Sequence, residues 1–501
     1  MRMGDWLDRE LGGRRVWLCF LLATFAYVLP LILADYPYID DSWRSLAAGM
    51  GWSGEGRLFT QLFFNGLTFS GAAPNIFPLP LLIATLAMAW ALTRLTFHYF
   101  AEPTLSHCLV VLAFWYNPFF LQNLSYQYDG PAMALSLVAV IFAITFRSVS
   151  RVQQLVVPAL LIALGLGLYQ VSINVFIGLC GLELLRAASA KLPWPQWWQL
   201  IGWKAAQVAL AWLIYFATAG AYMNQHRTLL LDWGAAPLLQ IETNAARVLE
   251  KVMLLFHDGF GWVFAGLLLC AIAGSVCLGR RLFERQETAL KHAVVGVLCV
   301  LMLPLVVLLV PGAALFFRDF NEGARTLMGF SVVLVLLFYL SHLVLASVHQ
   351  RLPFLLVIPL LAMLSLSFAY GRVLTLQKTF VTTALNALSY DIASRPALRD
   401  AKRIYMSVSY SDHWLVGAAG SFKHLPVLRY LLNTDYYMLA ENLPKAGITN
   451  VVAERERRNA TRVGYQGFVP LVDSQYYRIY LLGDYGFIVM KEPRPITELQ
   501  W

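Results

Sequence analysis

Apolar residues in this chain gather into long, nearly unbroken runs, and polar residues are pushed into the short stretches between them. The runs lie near 16–34, 75–93, 105–121, 131–146, 153–168, 171–186, 203–222, 260–279, 292–315, 326–347 and 353–370. About 18 to 20 apolar residues suffice for a helix to cross a bilayer. The pattern therefore predicts a polytopic α-helical membrane protein with about 11 transmembrane helices. The first run is longer than the roughly 7–15 residues of a signal-peptide core and no cleavage site follows, so it reads as an uncleaved first span. Near residue 372 the pattern changes. "RIYMSVSY", "ITNVVAER" and "YYRIYLLGDYGFIVMK" read as strands, the last as a hairpin turning at Gly-Asp-Tyr-Gly, and "HLPVLRYLLN" reads as a helix. Two domains are expected: a membrane region, 1–371, and a small soluble α/β domain, 372–501.

Composition agrees with this reading. Of 501 residues, 59% are hydrophobic and 13% charged, about half the charge of a soluble chain. The net charge of +9 is an orienting signal and not a sign of nucleic-acid binding. Arg2, Arg9, Arg14 and Arg15 precede the first span, Arg147 and Arg151 follow the fourth, Arg186 and Lys191 the sixth, and Arg280, Arg281, Arg285 and Lys291 the eighth. If spans alternate, all fall on one side, and the positive-inside rule makes that side the cytoplasm. Eleven spans that start inside end outside, so the C-terminal domain shares the outer face with the loop after the first span. The long loop 223–258 falls there too, with an apolar turn expected to lie in the interface. The six cysteines lie inside apolar runs without a CxxC pair and read as packing residues. No HExxH spacing, P-loop or dinucleotide fingerprint is present, which speaks against a zinc site and ATP-driven transport. No repeat between halves supports an inverted-repeat transporter.

Four polar constellations on the outer side carry candidate chemistry. In "ADYPYIDDSWRSLAAGMGWSGEGR", Asp40 and Asp41 are followed by Arg44 and Arg57. A carboxylate there can take the proton of an attacking hydroxyl while arginines hold an anion; the alternative is a helix N-cap. In "NPFFLQNLSYQYDG", amides including Gln127, with Asp129 and flanking aromatics, suit a carbohydrate or simply cap helix ends. Tyr169 and Gln170 interrupt an apolar run, either facing a cavity or marking a tight turn. In "FFRDFNEGAR", Arg318 and Arg325 offer planar forks to a phosphate, against local pairing with Asp319 or anchoring to lipid headgroups.

Together "DDSWRSLAAGMGWSGEGR", "NPFFLQNLSYQYDGPAMALSL", "LGLYQ" and "RTLMG", spread over residues 35–330, resemble the serotype-converting O-antigen glucosyltransferases of enteric bacteria and their phages. The resemblance implies a GT-C-like fold in the bacterial inner membrane, with active site and C-terminal domain facing the periplasm. It implies a glucose donor on undecaprenyl phosphate, an O-antigen acceptor on its lipid carrier, and functional partnership with a glucosyl-lipid flippase and a cytoplasmic-side synthase. Asp40 or Asp41 then supplies the base of an inverting displacement. Arg57, Arg325 and Arg318 bind the donor phosphate, and Arg44, Asp129, Tyr169, Gln170 and Gln127 bind sugar. No cofactor is expected, with a divalent metal left open. Two rivals stand beside it: a related transferase of aminoarabinose or mannose, or an O-antigen ligase; and a lipid or polysaccharide transporter that joins no sugar.

Overall fold

The computed structural model describes residues 9–190, 192–224, 231, 235–283, 304–318, 320–407, 415–432, 440–452, 465 and 467–491. Arg2, Asp319, the loop residues 225–230 and 232–234, the basic run from Arg285 to Lys291, the start of the 292–315 span and the end of the 448–455 strand lie outside these.

Among the described residues, the α-helices as far as Ala393 are, in chain order, α1 (Gly13–Ala34), α2 (Asp41–Ala47), α3 (Leu58–Thr68), α4 (Leu79–Tyr99), α5 (Leu105–Leu112), α6 (Phe120–Ser125), α7 (Asp129–Thr145), α8 (Arg151–Leu168), α9 (Ser172–Ser189), α10 (Trp194–Ala217), α11 (Ala235–Met253), α12 (Asp258–Phe283), α13 (Phe330–Val348) and α14 (Val357–Ala393). Among the described residues, seven stretches are long and apolar enough to cross a membrane: Gly13–Ala34, Leu79–Tyr99, Arg151–Leu168, Pro195–Ala217, Asp258–Arg280, Phe330–Val348 and Leu352–Ala393. α7 is apolar but shorter, and nearly all of it is buried. The run at 105–121 is not one helix. It forms α5, a turn, and then α6, because Pro118 offers no N–H and disfavours helical geometry at Asn117. The loop near 223–258 contains α11, which leaves Leu238, Leu239, Leu249 and Met253 exposed.

The bundle has two distinct ends. At one, Arg186 donates to the carbonyls of His98 and Tyr99, Arg94 to Thr145, and Leu11 to Pro103. These contacts gather the start of α1 with the ends of α4, α7 and α9. At the other, Thr60 donates to the Leu168 carbonyl, Gln170 to Tyr215, and Lys378 to Asp35. Arg94, Arg147, Arg151 and Arg186 lie at the first end and the polar loops at the second.

α14 has 37 residues, about 55 Å at 1.5 Å per residue, against roughly 30 Å of bilayer hydrocarbon. Its first half packs on α1, where Ser367 donates to the Tyr27 carbonyl and Gly371 lets the Pro30 backbone approach. Its second half sends Val381, Ala384, Leu388 and Ile392 into the core of the small domain beside Ile404, Ile479 and Ile488. The composition change at 372 therefore falls inside a continuous helix. The sheet has the order β1-β4-β3-β2, from β1 (Arg403–Ser407), β2 (Val472–Asp473), β3 (Tyr477–Leu482) and β4 (Tyr485–Met490), with β1 parallel to β4. β3 and β4 form the hairpin expected from the sequence, turning at Gly483 with φ 57°. Within 448–455, Val451 makes an isolated parallel bridge to Ile404. The "HLPVLRYLLN" segment contains a helix, Val427–Leu432, which reaches back to the polar end of the bundle.

Candidate active site

α1 ends at Asp35 in the left-handed region, and the chain doubles back through Tyr36–Asp40 into α2. Ile39 is held at φ 47°, a strained position for a β-branched residue. Such strain collects at functional sites because the surroundings must enforce it.

The paired acids have different surroundings. Asp41 is fully buried; its Oδ2 accepts from the main-chain N–H groups of Tyr38 and Gln127, both at 2.8 Å, and its Oδ1 from that of Tyr128 at 3.2 Å. It pins the turn ahead of α7 to the start of α2. Burial pushes its carboxyl up to about 8, while the three N–H groups pull it down. Asp40 stands at the head of α2 without a side-chain cap bond. Among the described residues its carboxylate makes no hydrogen bond or ion pair, and it feels Asp129, Arg325, Arg44 and Glu55 across the site. Burial, then Asp129, raises its carboxyl above the usual range against Arg325 and Arg44.

Asp129, the first residue of α7, is the hub. Trp52 Nε1–H donates to Oδ1 at 2.8 Å, Arg57 Nη1 lies 3.2 Å from the same oxygen, and Arg44 Nε is 3.4 Å from Oδ2. Arg44 sits between the rings of Trp43 and Trp52, at 4.7 and 4.3 Å. Arg57 lies 4.7 Å from the Tyr169 ring and also pairs with Glu55 at 3.3 Å. Neither Arg44 Nε nor Arg57 Nε has a hydrogen-bond partner. Arg325 donates to the Tyr126 hydroxyl at 3.1 Å, and its N–H and carbonyl are tied to the side chains of Gln122 and Asn123.

Other sequence candidates are spoken for. Gln127 accepts from Asn75 and donates to Asp35, and Gln170 donates to the Glu55 carbonyl and the Tyr215 hydroxyl. Arg318 is exposed. Asn117 donates to Ser331 and joins Gln122 and Asn123 in fastening the 116–129 turn to the start of α13. Trp52, Tyr126 and Tyr38 were not among the sequence candidates. Tyr38 and Gln122 donate to the Leu431 carbonyl, and Tyr38 also to that of Leu432, so Val427–Leu432 of the C-terminal domain rests directly on the site loops. Among the described residues, no three His, Cys, Asp or Glu side chains converge to hold a metal ion.

Bundle and cluster define an integral membrane protein with a buried, charged cluster at one end of its helices. The chain belongs to the Glucosyl transferase GtrII family, whose profile matches residues 29–336. That range holds the whole cluster, from Asp40 to Arg325. It is 30% identical over 157 residues to an uncharacterized 55.3 kDa protein in the gtrB 5' region of Salmonella phage P22, covering 31% of this chain and 32% of that protein. The chain thus matches about a third of the relative's length. No solved structure matches the chain.

Proposed function

We propose that the protein transfers glucose from undecaprenyl-phosphate glucose to an O-antigen sugar at the periplasmic face of the inner membrane, with Asp40 as base. The reading includes eleven crossings, the basic end in the cytoplasm, and a donor made by a cytoplasmic synthase and turned over by a flippase. It calls for no cofactor. The observation that carries it is the contrast at the site. Asp41 and Asp129 spend both oxygens on fixed partners, whereas Asp40 has no hydrogen bond or ion pair among the described residues and lies in the field of Arg325 and Arg44.

In this mechanism Asp40 removes the proton of an acceptor hydroxyl as its oxygen attacks the anomeric carbon. The bond from that carbon to the phosphate oxygen breaks on the opposite face, so the configuration inverts. Arg325 and Arg57 stabilise the charge gathering on the departing lipid phosphate, a contribution that preorganised donors supply efficiently. Asp129 holds Arg44 and Arg57 in place and does not itself touch sugar. Trp52, Tyr126 and Tyr169 border the cluster as buried rings, each against an arginine that it helps to hold in place.

The test uses purified protein in nanodiscs with radiolabelled donor and lipid-linked O-antigen, with and without a chelator. Asp40→Asn is expected to lower transfer about 10²–10⁴-fold with the protein still folded, and the chelator to change nothing. Full transfer by Asp40→Asn sinks the assignment of the base. Absence of transfer by wild type with this donor, but transfer with another lipid-linked sugar, moves the reading to a different hexose.

A further inference from the structure

At the opposite end of the bundle, a cavity of about 320 Å³ opens between the ends of α7 and α9 and the starts of α8 and α10. That volume is within the range of small-ligand pockets. It lies far from Asp40, and its lining differs in kind. Arg147, Arg186 and Lys204 line it, with apolar surface from Phe146, Leu200 and Trp203.

The charges there are unevenly matched. Glu183, the cavity's carboxylate, is occupied by His98 at 2.9 Å and by Arg186 at 3.0 Å. Arg186 also spends its other nitrogen on the carbonyls of His98 and Tyr99. Arg147 and Lys204 make no hydrogen bond or ion pair among the described residues; Lys204 lies 5.8 Å from the Phe176 ring. Gln207, fully buried in the same lining, donates to the Gln154 carbonyl, and its Oε1 has no partner. Two cations without a hydrogen-bonded or ion-paired partner among the described residues, Lys204 within the field of Glu183, thus face a cavity that also offers an unused acceptor. α10 keeps Trp198, Leu213 and Phe216 exposed along its length.

We propose that this cavity binds the headgroup of an anionic phospholipid of phosphatidylglycerol type. Arg147 and Lys204 hold the phosphodiester, Gln207 Oε1 accepts from a glycerol hydroxyl, and the apolar wall receives the glycerol backbone and upper chains. Basic pockets between helices at a membrane's cytoplasmic side are suited to this chemistry. Bound there, the lipid bridges the ends of α7 and α9 to α8 and α10.

Native mass spectrometry of the full-length protein, titrated in detergent with phosphatidylglycerol or phosphatidylcholine, tests the proposal. Phosphatidylglycerol is expected to bind at least fivefold more tightly, and Arg147→Gln and Lys204→Gln each to weaken it about fivefold. Lys204→Arg should retain binding. Ala190→Trp, at the exposed rim with both cations intact, should block it. Equal retention of the two lipids, or unchanged phosphatidylglycerol binding in Arg147→Gln, Lys204→Gln and Ala190→Trp, overturns the proposal. Displacement of the lipid by millimolar inorganic phosphate overturns it in favour of a soluble-anion site.

Discussion

Asp41 spends its carboxylate oxygens on main-chain N–H groups of Tyr38, Gln127 and Tyr128, and this fixes what its loss does. In Asp41→Asn the side-chain amide turns a donor toward one of these donors. The orphaned N–H costs about 1–3 kcal/mol, read as a lower Tm. Because burial lifts the folded-state carboxyl to about 8, against about 3.9 when unfolded, the folded chain holds a proton the unfolded chain has lost between those values. Stability therefore falls as pH rises through that window, and the Tm-versus-pH slope should be shallower in Asp41→Asn. An unchanged slope removes this role. From sequence, the two adjacent acids were equivalent. What separates them is the pair of N–H groups at 127 and 128, 86 and 87 positions along the chain, and no local spacing carries that information. Arg44, Arg57 and Asp129 were visible as polar residues at outer boundaries, and the fold does bring them together. Trp52 was hidden because an indole beside a membrane reads as an interface anchor until its N–H is seen bound to Asp129.

Among elements, the pairing of α12 with α13 depends on a residue too small to show in an apolar count. A side chain at Gly274 would fall on the Leu340 carbonyl, whereas Gly266, two turns earlier on α12, has open space around it. Small residues let helix backbones approach within a bilayer, where dispersion and not water exclusion drives association. Gly274→Leu is expected to lower stability by the roughly 1–3 kcal/mol or more typical of overpacking, read as a lower Tm, with Gly266→Leu near wild type. Equal stability in the two variants would show that the helices can part at no cost. Long helices were readable because the apolar runs come close to, or reach, the length a bilayer crossing needs. The break between α5 and α6 was not, although Asn117-Pro118 stood in plain view, because the residues around it are apolar enough to hide a turn. Every side chain of that turn from Trp115 to Asp129 is buried, so hydropathy alone cannot tell it from a span.

For the whole molecule, orientation rests on two features that agree from independent directions. The arginines assigned to one side by counting spans, Arg147, Arg151 and Arg186, do lie at a common end of the bundle. The C-terminal domain lies at the other end, with the site. Its Tyr430 hydroxyl donates to the Glu322 carbonyl at 2.6 Å, and His424 pairs with Asp258 at 2.8 Å. Contacts spanning almost 400 positions, such as Tyr38 with Leu432, leave no periodic trace, which is why the domain's seat on the site was invisible in sequence. Orientation is open to a direct chemical measurement. Val149, exposed at the basic end, and Ser421, exposed on the C-terminal domain, can each be changed to cysteine. The described native cysteines are buried or half-buried within helices, leaving a low background. In intact spheroplasts a membrane-impermeant maleimide should label Ser421→Cys at once and Val149→Cys only after lysis. The opposite pattern would put Asp40 and the arginines in the cytoplasm. A donor turned over to the periplasm could not reach them there, and the proposed reaction would lose its substrate along with its location.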